Sequence, residues 1–334
     1  MKSILRLPLI LWTCFSVLVY SSVLVSPVIF KYSGIISLGV PLIILVNFIF
    51  LFLSILFKWK SGFVALFLLI IAYPFMNVAI SLEGPQESKG NTIKVLNYNV
   101  KWFTDARKDN YRAAIEWIKE ENADILCFQE FYPRQNISSR IIQNSGYYVS
   151  IDPKSFHVAI YSKYPIINDG FVFANDDFNN VRFADLKIKE DTIRVYSVHL
   201  ESMGINPEKI QNPEGIKTEY ENVKNRFVSA SNFRTKQIKE LLIHISQCKH
   251  RTLIVGDFND VPFSYNYFQF RNRFKNAFEE VGRGFGTSYN GKLPFLRIDN
   301  QFYSKGFRAI SFTTLNNVYF SDHYPLVGIY EITP

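Results

Sequence analysis

The first eighty residues contain no Asp or Glu, and their only charges are Lys2, Arg6, Lys31, Lys58 and Lys60. Such a block cannot form the polar exterior of an ordinary globular domain. Three uncharged stretches, about 7–30, 35–57 and 61–82, are each long enough to cross a membrane, because a helix rises about 1.5 Å per residue and a hydrocarbon core is about 30 Å thick. The pattern predicts a helical anchor over 1–82, a short linker over 83–91 (EGPQESKGN) and a soluble domain over 92–334. Prolines 8, 27, 41 and 74 are compatible with this, since bundled spans tolerate them. A cleaved signal peptide is the alternative for the first stretch, but its length and the two later spans favour retention. The residues before Cys14, Leu-Trp-Thr, lack the small residue expected ahead of a lipidated cysteine.

Orientation follows from the loops, because cytoplasmic loops retain Lys and Arg. Lys2 and Arg6 precede the first span, Lys58 and Lys60 separate the second from the third, and Lys31 alone opposes them. An odd number of spans then places the soluble domain outside the cytoplasm, periplasmic or extracellular. The anchor also accounts for much of the chain's basicity. Removing its five cations from the 37 Lys and Arg leaves 32 against 29 Asp and Glu, so the net charge of +8 falls to +3 beyond residue 80. A pI of about 9.2 therefore gives no simple argument for nucleic acid. Cys14, Cys127 and Cys248 show no disulfide or metal spacing and read as free packing residues.

From residue 92 short apolar runs alternate with helical stretches, the mark of a mixed α/β domain. The runs TIKVLNYNV, ADILCFQEF, VAIYSKYPI, VRFADLKI, TIRVYSVHL, RTLIVGDF, LRIDNQFYS and HYPLVGIYEI read as strands. Asn110 to Asn122 reads as an amphipathic helix with Asp109 as its N-cap, and a long helix covers about 219–247. Polar residues recur at the ends of these strands: Asn99, Glu130, His199, Asp257 with Asn259, Asp299, and Asp322 with His323. Any one of them is explained as a turn residue. Their repetition points to a site, because a strand end is stiff where the side chain first meets solvent.

The motifs NYN, FQE, VHL, GDFND, RID and SDH, in this order and spacing, resemble those of the endonuclease/exonuclease/phosphatase superfamily, the deoxyribonuclease I-like group. The resemblance covers about 92–332 and implies a four-layered sandwich of two mostly antiparallel sheets flanked by helices. It also implies metal coordination by Glu130, with Asn99 and Asp322 lining the same site. His323 would contact phosphate or activate water, oriented by Asp299. His199 would contact phosphate or the leaving group, while Asp257 and Asn259 would position the nucleophile. The chemistry fits: phosphoester hydrolysis needs a hard cation, oxygen ligands, an activated water and a proton for the leaving oxygen. Without thiolate ligands, Mg²⁺ or Mn²⁺ is expected rather than zinc. Lys101 departs from the abasic-site nucleases, which carry Asp there; a lysine cannot ligate a cation, so one principal metal is expected. Asn300 after RID also replaces a frequent aromatic residue.

His157 is a candidate cleft residue, whereas His244 and His250 read as surface or packing residues. Residues 201–218 form either a gating loop or a solvated connector, and the aromatics of PFSYNYFQF either stack on bases or pack in a helix. The reading is a membrane-tethered, metal-dependent phosphodiesterase or phosphatase acting on nucleic acid or a phospholipid headgroup. The alternative is a non-catalytic membrane-bound binding module that retains the fold. Transport is disfavoured because the spans lack ionisable residues, Asn47 being the strongly polar one in the clearest span.

Overall fold

The change of pattern at residue 92 marks the first strand of two stacked six-stranded sheets. The computed structural model describes residues 6–103, 111–132, 137–143, 145–152, 157–174, 178–204, 213–291 and 296–333. Four helices come first: α1 (Arg6–Ser22), α2 (Ser33–Ser37), α3 (Val40–Leu56) and α4 (Gly62–Ala79). There follow β1 (Thr92–Asn99), α5 (Tyr111–Glu121), β2 (Ile125–Gln129), α6 (Ile137–Ile142), β3 (Tyr148–Ser150), β4 (Val158–Ser162), β5 (Ile166–Phe171), β6 (Val181–Ile188) and β7 (Asp191–His199). The chain ends with α7 (Pro213–Ser246), β8 (Arg251–Asp257), α8 (Tyr265–Arg271), β9 (Lys275–Asn276), α9 (Ala277–Val281), β10 (Asp299–Tyr303), β11 (Phe307–Thr314) and β12 (Leu326–Ile332).

The first sheet runs β11-β12-β1-β2-β4-β3 and the second β5-β6-β7-β8-β10-β9. Each is mixed: β1 with β2 and β7 with β8 are parallel, and the remaining neighbours are antiparallel. The parallel pairs lie mid-sheet and carry their carboxyl ends to the same edge of the sandwich. Between the sheets Val95, Ile125, Cys127 and Ile160 meet Leu186, Val195, Leu253 and Val255. Outside the first sheet, Leu96, Tyr98, Leu126 and Phe128 pack with Ile115 and Ile118 of α5. The sandwich flanked by helices is the architecture expected.

Several expected boundaries move. The run VAIYSKYPI is not one strand: β4 ends at Ser162 in the first sheet and β5 begins at Ile166 in the second. The Ser162 hydroxyl accepts the Tyr164 N–H in the turn that carries the chain across. The long helix begins at Pro213, within the segment read as a loop, and a proline suits a first helical turn because its missing N–H is not needed there. Asp109, the expected N-cap, lies outside the described residues, as do 205–212. The three cysteines are free, with Cys127 buried but Cys14 exposed. His244 packs, its Nδ1 3.0 Å from the Tyr196 hydroxyl.

The N-terminal block differs from the expected three spans. Two helical segments, Ser33–Leu56 and Gly62–Ala79, are long and apolar enough to cross a membrane by length and composition, whereas the first, Leu7–Ser22, is shorter. Buried Asn47 is spent on packing: Trp12 Nε1 donates to its Oδ1 at 2.9 Å, and its Nδ2 donates to the Tyr20 hydroxyl at 3.2 Å. One end of the block joins the helices outside the second sheet. Val19, Tyr20 and Val23 at the end of α1, Val40 and Ile43 at the start of α3, and Phe75 and Val78 at the end of α4 share a cluster with Ile238, Leu241 and Phe268. The approach is close at Gly34, where a Cβ would stand 2.7 Å from Ser231 Oγ on α7.

Candidate active site

Three neighbouring strands of the second sheet bring His199, Asp257 and Asp299 into one lateral row, since His199 pairs with Asp257 and Asp257 with Asp299. In the first sheet Asn99 pairs with Gln129, so Glu130 emerges beside it, one residue past the strand end. Burial explains why these motifs can be read as strand ends: the apolar part of each strand is enclosed, and the polar residue follows it. Gly256, preceding Asp257, has φ +148, and a Cβ there would stand 2.1 Å from Val198 O. The glycine of GDFND therefore lets β8 approach β7 closely enough for the row to form.

A hydrogen-bonded network joins the row to the other sheet. Asn99 Nδ2 donates to Glu130 Oε1 at 3.2 Å and to Asp257 Oδ2 at 3.0 Å, while its Oδ1 accepts the Lys101 N–H at 3.1 Å. The amide thus bridges two carboxylates through nitrogen, while its oxygen accepts one backbone N–H and keeps a second lone pair. His323 Nδ1 lies 2.8 Å from Asp299 Oδ2, with its Nε2 3.8 Å from Asp257 Oδ2. The Ser288 hydroxyl accepts both the Ile298 and Asp299 N–H groups at 3.0 Å, fixing the start of β10. The Tyr289 ring stands edge-on to His323, centroids 5.4 Å apart.

The remaining expected residues have other immediate partners. Asn259 donates its Nδ2 to Leu200 O and its backbone N–H to Asp257 Oδ1, so it braces Asp257 while its side-chain amide ties β8 to the end of β7. Asp322 forms an ion pair with Lys101, Oδ2 to Nζ 2.6 Å. His157 joins an aromatic wall with Trp102 and Phe178, centroids 5.1 and 4.7 Å away, and Phe178 in turn lies 5.9 Å from His199. Residue type alone did not reveal Ser288, Tyr289, Trp102 or Phe178. Left-handed backbone gathers here too: Lys101, Trp102, Phe103, Glu130 and Asn259 all have φ between 41 and 59, at a cost of roughly 1–2 kcal/mol for each ordinary residue. Strain of this kind persists where surrounding structure over-determines it.

Electrostatics set the protonation states. Burial opposes the charged form of His323, but the Asp299 and Asp257 carboxylates outweigh it and raise its pKa. Burial first, then the Asp299 charge, raises that of Asp257. Burial lowers that of His199, keeping it neutral. Its Nδ1 faces the Phe178 carbonyl at 3.3 Å; a carbonyl only accepts, so Nδ1 carries the proton and Nε2 keeps its lone pair. Among the described residues that Nε2 has no hydrogen-bond partner, and it faces Glu130 Oε1 at 3.7 Å. Burial works to lower the Lys101 pKa, but Asp322 raises it above the ordinary value, so the ammonium persists.

This donor set fits a hard cation. The ligating atoms of Asp257, Asp299 and His323 lie within 4.8 Å of one another, close enough to hold a metal ion. Asp299 Oδ1 is buried without a hydrogen-bond partner among the described residues, and the facing lone pairs of Glu130 and His199 call for a proton, a water or a cation between them. Glu130, Asp257, Asp299 and Asp322 bring four carboxyl groups against two cationic side chains, Lys101 and His323, an imbalance that a divalent ion relieves.

Comparison with known proteins gives the same outline. A family model described as the Endonuclease/Exonuclease/phosphatase family matches residues 96–323. A second, described as a domain of unknown function (DUF8431), matches residues 2–79. No curated protein matches. Among solved structures, a humanized D. rerio TDP2 shares 15% identity at a TM-score of 0.55, covering 72% of this chain and 99% of its own. The endonuclease/exonuclease/phosphatase from Bacteroides vulgatus shares 14% identity at 0.54, covering 72% and 99%. The human Nocturnin catalytic domain with bound sulfate shares 19% identity at 0.53, covering 72% and 95%. At these identities the likeness is one of fold.

Proposed function

Because the chain belongs to the endonuclease/exonuclease/phosphatase family, we propose that it hydrolyses a phosphoester, most directly a phosphodiester, with Mg²⁺ or Mn²⁺, while tethered to a membrane by its N-terminal helices. The observation that carries the chemistry is the Asp299–His323 pair, closed at 2.8 Å on one side and open toward Asp257 on the other.

Asp299 holds the His323 ring, and a cation bound beside these carboxylates would offset the negative charge that raises the His323 pKa and so free its Nε2 to take a proton from the attacking water. Asp257, whose pKa burial raises, is suited to return a proton to the leaving oxygen. The Lys101 ammonium offers a fixed charge to a phosphoryl oxygen. The metal, when bound, neutralises charge on the phosphoryl oxygens, and Glu130 is the ligand we assign to it. Asn99 steadies that carboxylate, and Asp322 is engaged by Lys101; this supports one principal ion. A cavity of about 610 Å³ lined by Arg283, Tyr289, Asn290 and Asn316 adjoins the site through Tyr289, whose ring stands against His323.

Three features support the tether. Only 28% and 39% of the two long apolar windows is buried, whereas the core helix of a soluble protein is largely enclosed. Aromatic pairs mark both ends of the block, Phe57 with Trp59 and Phe30 with Tyr32, as at membrane interfaces. Lys58 and Lys60 lie at the end of the block remote from the α7–α8 contact, which favours a catalytic domain outside the cytoplasm. The substrate is then nucleic acid or a phospholipid headgroup. A panel of plasmid DNA, sphingomyelin and inositol phosphates, assayed with Mg²⁺, distinguishes these. An alkaline-phosphatase fusion after Gly90 tests orientation: an active fusion is expected, and an inactive one reverses it.

A further inference from the structure

A cavity of about 610 Å³ lies between the connection that follows α1 and the outer helices α7 and α8, and no residue of the catalytic row lines it. Ser26, Val28 and Ile29 form its wall from the apolar block; Lys236 and Lys239 of α7 and Arg273 beyond α8 form its wall from the other side. No acidic side chain lines it among the described residues. Both lysines are exposed, and the Arg273 guanidinium donates to the Gln269 carbonyl at 2.8 Å. Val28 and Ile29 are 51% and 83% exposed. An apolar lip left open beside three cations needs an occupant with both characters.

Its position identifies one. Val23 and Val40, which bracket the connection, are both buried against the α7–α8 layer. The cavity therefore opens where the apolar helices end and the polar structure begins, the level at which phospholipid headgroups lie. We propose that it is a binding site for an anionic phospholipid, the phosphate held by Lys236, Lys239 and Arg273 and the chains running down past Val28 and Ile29. The inference rests on the membrane reading given above. A juxtamembrane Lys or Arg is worth about 1 kcal/mol toward an anionic lipid, so removing one lysine weakens binding roughly fivefold. Occupancy would fix the orientation of α7, which carries the chain from His199 to β8, relative to the bilayer.

The test uses the full-length chain in detergent micelles, titrated with short-chain phosphatidylglycerol, phosphatidylcholine and inorganic phosphate, with binding read by native mass spectrometry. Wild type should prefer phosphatidylglycerol over phosphatidylcholine by more than roughly tenfold. Lys236→Gln with Lys239→Gln should abolish that preference, whereas Lys189→Gln with Lys305→Gln, an equal change of charge on exposed residues of the β6–β7 and β10–β11 loops, should retain it. Equal binding of the two lipids, an unaltered preference in the double variant, or displacement of the lipid by equimolar phosphate would each overturn the proposal. Alkaline extraction of the expressing membranes separates the two readings. A chain retained in the pellet without lipid preference defeats the lipid site alone, whereas release into the supernatant defeats the membrane reading and the site with it.

Discussion

The Lys101 ammonium stands 2.6 Å from the Asp322 carboxylate, joining residues 221 positions apart across the mouth of the site. Lys101 reaches that point from a left-handed turn with φ 41. It occupies with a side chain the charge that a second cation would otherwise supply, and so favours one metal ion. Lys101→Asp is expected to raise the number of bound Mn²⁺ ions, counted by electron paramagnetic resonance, from one to two. A count that does not change, in a folded variant, would mean that the lysine does not set the metal number.

The close approach at Gly256 makes a strong demand on sequence. A Cβ would lie 2.1 Å from Val198 O, against backbone and not against the end of a flexible chain. Gly256→Ala should therefore cost roughly 2–4 kcal/mol and shift Asp257 out of line with His199. Thermal unfolding checks this; an unchanged midpoint would show that the parallel pair can spread without loss.

Asp185 faces Arg194 across β6 and β7, accepting from its Nε at 2.6 Å and its Nη2 at 2.7 Å, with Asn168 adding a third hydrogen bond. Burial tends to raise the Asp185 pKa, but these partners outweigh it and hold it below the ordinary value. A depressed carboxylate contributes stability that is fully present above its unfolded pKa of about 4 and is lost as pH falls through the folded value. Asp185→Asn should thus lower the unfolding temperature clearly at pH 7, and the gap should narrow below about pH 4. The same gap at both pH values would contradict the linkage.

How much of this was legible in the sequence depended on whether the cause was local. Strand ends at Asn99, Glu130, His199, Asp257 and Asp299 stood out because the residues before them are apolar and buried. The crossing at Ser162–Ile166 did not, because an apolar run interrupted by Lys-Tyr-Pro looks the same whether it stays in one sheet or changes sheets. Strand β11 was missed since Arg308, Ser311, Thr313 and Thr314 give it a polar cast. Asn99 was recognised as a site residue, but its orientation depends on the Lys101 N–H in a left-handed turn, which no spacing reveals. Asp322 was expected to hold metal; its lysine partner is decided by tertiary structure alone.

In the proposed reaction the Asp299–His323 pair activates water at a metal-assisted phosphoester site. The most direct measurement is the initial rate of bis-p-nitrophenyl phosphate hydrolysis at saturating Mg²⁺ for the full-length wild type and His323→Ala, with thermal unfolding to confirm that both are folded. Wild-type activity should be abolished by EDTA and restored by Mg²⁺, and the variant should be slower by roughly 10²–10⁴-fold. Equal rates for the two folded proteins would contradict it.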